Sequence, residues 1–103
     1  MTRNSIDLLP EAFFAVIYAK AAFGNAIYNG REEKTGLNFY IDPTSGPGEP
    51  RVGARVIVRK NRGWFGTKLL VYDGEQVVGR FVRIGPHCGE EEFAESVGNA
   101  YKA

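Results

Sequence analysis

The sequence predicts an α+β fold in a single domain. Three observations carry that expectation: an apolar stretch near the N-terminus with helical spacing, three alternating β-branched runs in the second half, and an acid-led amphipathic stretch at the C-terminus. At 103 residues there is room for one core. The residues are 44% hydrophobic and 24% charged, ordinary values for a chain that folds on its own.

The first element, within residues 1–30, reads as a helix. Pro10 suits a first helical turn and Glu11 favours a helix N-terminus. Leu9, Phe13, Val16, Phe23 and Ile27 recur at 3–4 spacing with Lys20 on the same line, and Phe14, Tyr18, Ala21, Asn25 and Tyr28 make a second stripe. Asn29-Gly30 reads as its stop. One sheet face does not cover an apolar arc this wide, so Phe14, Tyr18 and Tyr28 become candidates for a homodimer or partner contact.

Residues 37–41 read as a short strand, and 42–50, with three prolines and two glycines, as a loop. Residues 54–84 read as a three-stranded antiparallel meander. Its runs are 54–60, 64–72 and 76–84, with turns at Asn61-Arg62-Gly63 and Asp73-Gly74. Residues 90–102 read as a helix with acids in its first turn and Phe93, Val97 and Tyr101 on one face. That helix is expected to pack on one face of the sheet.

Alternation sorts the meander into two faces. Val56, Val58, Phe65, Thr67, Leu69, Val71, Val77 and Phe81 form the expected inner face. The other face mixes Arg55, Arg59, Lys68 and Arg80 with Trp64, Tyr72 and several aliphatic residues, Val78 among them. Charge is segregated along the chain. Residues 1–50 carry −2, residues 51–88 carry +6, with eight Lys/Arg against Asp73 and Glu75, and residues 89–103 carry −3. Cations attract phosphates, and exposed rings stack on bases. The plain alternative is a half-wet sheet whose Arg and Lys stems cover apolar surface.

Three segments also carry a resemblance: Arg59-Lys-Asn-Arg-Gly-Trp64, Val78-Gly-Arg-Phe81 and Glu90-Glu-Glu-Phe-Ala94. Over residues 54–102 they resemble the three-stranded-sheet-plus-helix DNA-binding domain of plant ethylene-response factors and of phage integrases and endonucleases. In that family the sheet lies in the major groove. The resemblance implies DNA contacts by Arg55, Arg59, Arg62, Trp64, Lys68 and Arg80, and the aromatic face adds Tyr72. The chain departs from that pattern in a longer link at 82–89 and in Gly66 where alanine is usual.

Catalytic chemistry finds little footing. The only histidine, His87, is a sequence neighbour of the only cysteine, Cys88, and neighbours seldom converge as a nucleophilic pair. No further Cys or His completes a zinc site, and no phosphate-loop motif is present. Glu32, Glu33 and Glu90–Glu92 read as solvated charge and helix-start residues. The expectation is a non-enzymatic binding protein without cofactor or metal. Its partner is a nucleic acid or, alternatively, a protein, as in small phage-type regulators and inhibitors of host defence. One cysteine and no apolar span long enough for a bilayer point to a soluble, cytoplasmic protein that does not enter a membrane.

Overall fold

The segment Ala12–Lys20 decides the architecture, and it is a strand (β1). Its sequence satisfies both periodicities at once. Phe13, Ala15 and Ile17 point inward and are almost wholly buried, while Phe14, Val16 and Tyr18 alternate outward. Five of its nine residues are aromatic or β-branched, which suits a pleated surface better than a helix. The wide apolar arc is therefore a strand with apolar residues on both faces, not a helix with two stripes.

The computed structural model describes residues 1–21, 27–43, 47–86 and 88–102. Phe23 and Asn25 of the expected helix lie outside them, as does His87. The described elements are α1 (Arg3–Leu8), β1, β2 (Tyr28–Glu32), β3 (Asn38–Asp42), β4 (Arg55–Gly63), β5 (Gly66–Asp73), β6 (Gln76–Ile84) and α2 (Glu90–Ala100). All neighbouring strands are antiparallel, and the ring β1-β2-β3-β6-β5-β4 closes. The expected α+β fold is thereby corrected to a closed six-stranded barrel with two short helices. Asn29-Gly30, read as a helix stop, lies inside β2. The three strands of the expected meander are β4–β6, but both their outer edges are paired: β4 with β1, and β6 with β3.

Bulges bend the sheet into a barrel. Tyr18 is the extra residue of β1, and Val78 and Val82 are the extra residues of β6. The bulge at Val78 breaks simple alternation. Val78 is buried where the sequence pattern put it outside, and Val77, expected inside, is only half-buried.

The core fills the barrel with Phe13, Ile17, Phe39, Ile41, Val56, Val58, Leu69, Val71 and Phe81. Helix α2 does not lie on a sheet face. Its Phe93 is 5.6–6.3 Å, centroid to centroid, from Phe13, Phe39 and Phe81, which belong to β1, β3 and β6. Since β1 neighbours neither β3 nor β6, one ring reaches all three only from the barrel's mouth, and α2 closes that mouth. Helix α1, capped by the Thr2 hydroxyl accepting from the Ser5 N–H, packs on α2. Gly98 permits this approach, because a Cβ there would collide with the Leu8 carbonyl.

A buried carboxylate ties the second helix to the barrel. Glu32, read from sequence as solvated, is 0% exposed. It accepts from the backbone N–H groups of Lys34 (2.9 Å) and Thr35 (2.7 Å), the Thr35 hydroxyl (2.7 Å) and the Tyr101 hydroxyl (2.7 Å). The same Tyr101 oxygen accepts from the Phe14 N–H at 2.9 Å. Four donors solvate the charge in place of water.

Candidate nucleic-acid interface

The β4–β5 hairpin runs beyond the core. Past Val58 the residues of β4 are exposed or half-buried, and β5 is not buried again until Leu69. Gly63 and Gly66 pair directly, leaving Trp64 and Phe65 as a two-residue tip. Gly66 has φ +117°, where a side chain would be strained. Trp64 and Phe65 are fully exposed, at 100% and 104% of their reference areas. Phe65 thus leaves the inner face that alternation assigned to it. The pattern Gly-Trp-Phe-Gly was the available signal, since glycines bracketing two residues mark the turn at Trp64-Phe65, whereas Asn61-Arg62-Gly63 lies in β4.

Cations surround this tip, and their neighbours divide them. Arg62 is held by Glu11 through two hydrogen bonds of 2.8 and 2.5 Å, and Arg55 by Glu33 through two of 2.6 and 3.1 Å. These contacts hold the Glu11 and Glu33 carboxyls below the usual carboxylate range and raise both guanidinium pKa values. Arg51 is likewise bound to Asp73 at 2.8 Å. The set expected from sequence therefore splits: Arg55 and Arg62 are engaged, whereas Arg59, Lys68 and Arg80 have no carboxylate within 4 Å among the described residues. Lys60, which the sequence reading passed over, joins the latter group.

The strand register arranges these groups. Arg59, Leu70 and Arg80 are successive cross-strand partners on β4, β5 and β6, and Lys68 opposes Asn61 one row nearer the tip. Tyr72 offers its ring to Arg59, whose guanidinium carbon lies 5.4 Å from the centroid. Tyr72 thus supports a cation rather than presenting a bare face.

Of the three rings proposed for a dimer contact, Phe14 and Tyr18 lie on the barrel's outer surface and Tyr28 packs against the core, each with a cation near its ring. Arg55 covers Phe14 at 4.1 Å, Arg31 covers Tyr18 at 4.6 Å and Lys20 approaches Tyr28 at 5.7 Å. The two-striped helix that made them a partner surface is absent from the fold.

An open trough begins at the hairpin tip. Its wider part, about 700 Å³, lies between α1 and the tip, with Arg3, Ile6 and Asp7 facing Trp64 and Phe65. A second part, about 230 Å³, shares Met1, Ile6 and Thr67 with the first and continues past Lys68 and Leu69 to Arg80 and Phe81. Elsewhere, Cys88 is half-buried, and desolvation raises its thiol pKa, the condition of an unreactive cysteine. Among the described residues no group of three His, Cys, Asp or Glu converges, and no helix is long and apolar enough to cross a membrane.

Fold and site together define a small closed β-barrel with a basic surface and an aromatic hairpin tip. Comparison with family models, curated proteins and solved structures finds no match.

Proposed function

We propose that this chain is a non-enzymatic nucleic-acid-binding barrel that engages the polyanion along the outer surface of β4–β6 and the β4–β5 tip. One observation carries the reading: Arg59, Lys68 and Arg80 have no carboxylate within 4 Å among the described residues, beside two fully exposed rings. Unpaired cations are the ones that replace phosphate counterions, whereas a guanidinium already bound to a carboxylate contributes little net charge. A protein partner is the second reading, favoured by Trp64, because an exposed tryptophan among cations also suits a binding hot spot.

Fluorescence anisotropy with labelled single-stranded and duplex oligonucleotides at several salt concentrations tests the proposal. Arg59→Ala should flatten the slope of log K against log salt by about 0.7–0.9. The double variant Glu11→Gln with Arg62→Gln removes one charge of each sign and should leave the slope unchanged. Absence of binding below about 100 μM at moderate salt, weaker than non-specific association, overturns the nucleic-acid reading in favour of a protein partner.

A further inference from the structure

We infer that the occupant of this surface is a single strand, its bases stacked on Trp64 and Phe65 and its backbone following the trough between α1 and β5–β6. The inference rests on the nucleic-acid reading above and narrows it. Duplex and single strand share the phosphates that cations recognise, so the basic row alone does not separate them. The rings do. In a duplex each base face is covered by its neighbours, and a stacking ring gains access only by forcing base pairs apart, at a cost of a few kcal/mol per step. In a single strand the faces are open, and each stacked base contributes about 1–3 kcal/mol.

Trp64 and Phe65 are adjacent, wholly exposed and held on a two-residue turn bracketed by glycines, so the fold presents two flat apolar surfaces at one point. The trough that starts there has a mixed lining: Ile6 and Thr67 run along it with Arg3, Lys68 and Arg80, so cations that attract phosphates continue from the rings. Asp7 is the carboxylate in the wider part, and Arg62 there is already held by Glu11. From Phe65 to the row of Leu70 and Arg80 the strand rises roughly 16 Å. That length accommodates a few nucleotides, at the short end of the roughly 4–16 that small barrels hold.

Trp64 is the chain's only tryptophan, so its fluorescence reports on this site without a label. The intact chain is titrated at low salt with a twelve-nucleotide oligo-dT, a twelve-nucleotide oligo-U and a twelve-base-pair duplex. The expected result is quenching of Trp64 by one or both single strands, which bind at least about tenfold more tightly than the duplex; the two arms tell DNA from RNA. Trp64→Ala, a change at a fully exposed site, should weaken the single strand by about 5- to 150-fold and the duplex by less. Equal or tighter duplex binding, or single-strand binding without quenching, overturns the single-strand inference while leaving the nucleic-acid reading standing. Failure of all three polymers to bind overturns the reading itself, as does quenching by anionic phosphatidylserine vesicles in their place.

Discussion

At the scale of single residues, the barrel depends on side chains that meet only in three dimensions. Phe81 is buried and stacks on Phe39 with centroids 4.9 Å apart and planes 15° from parallel. Phe81→Ala should destabilise the fold by about 3–5 kcal/mol, measured as a lower urea midpoint at unchanged m-value. A midpoint equal to the parent's would show that the ring does not belong to the core. Tyr101 offers a test by pH. Burial, with the adjacent Glu32 and Glu33 charges, pushes its phenol up to about 12. The folded-state pKa thus lies above the unfolded value of about 10, so the contribution of the neutral phenol is complete below pH 10 and fades as pH rises toward 12. Tyr101→Phe should cost about 1–3 kcal/mol at neutral pH, because the Phe14 N–H and the Glu32 carboxylate each lose a partner. It should also remove part of the stability loss between pH 10 and 12, as thermal melts across that range would show.

At the scale of elements, the β4–β5 hairpin separates structural from binding roles. Its tip contributes nothing to the core, so Trp64 and Phe65 can be changed without unfolding the barrel, while the turn that holds them is demanding. Gly66→Ala forces a Cβ into φ +117° and should cost about 1–3 kcal/mol in stability, measurable by denaturation. It should also weaken any ligand that needs the rings presented together. Neutral behaviour would mean that the turn relaxes to another type. Helix α2 has the opposite character. Its acids suit its N-terminus, and its exposed face is ordinary, but Phe93, Ala94 and Val97 seal the barrel.

At the scale of the whole molecule, closure makes the two halves of the chain interdependent. Ala12–Val16 pairs with Arg55–Arg59, and Asn38–Asp42 with β6, so each half supplies edges that the other covers. An α+β sheet-plus-helix unit would leave residues 54–102 able to fold alone. The barrel predicts that they do not, because the fragment loses Phe13, Ile17, Phe39 and Ile41 from the core and exposes both strand edges. A dispersed amide proton spectrum from the isolated 54–102 fragment would contradict this. Non-local pairing of this kind also predicts folding in the millisecond-to-second range, readable by stopped-flow fluorescence.

The sequence by itself determined the local features whose cause is local. The β-branched runs at 54–60 and 76–84, the Asp73-Gly74 turn and the acid-led helix at 90 lie within a few residues of where propensity and turn chemistry put them. The +6 block between acidic flanks was equally legible, and with it most of the candidate surface. Only the tertiary structure decided whether Ala12–Lys20 is helix or strand, because Phe13, Val16, Ile17 and their neighbours satisfy periods of 3.6 and 2 alike. The choice fell to β4, whose otherwise open edge that segment covers. Tertiary contacts also decided which cations remain available. Glu11 and Glu33 lie far from Arg62 and Arg55 in the chain, and only barrel closure brings them within hydrogen-bond reach. The same closure completed the burial of Glu32: three of its donors are local to the β2–β3 turn, and the fourth, Tyr101, arrives only with the end of α2.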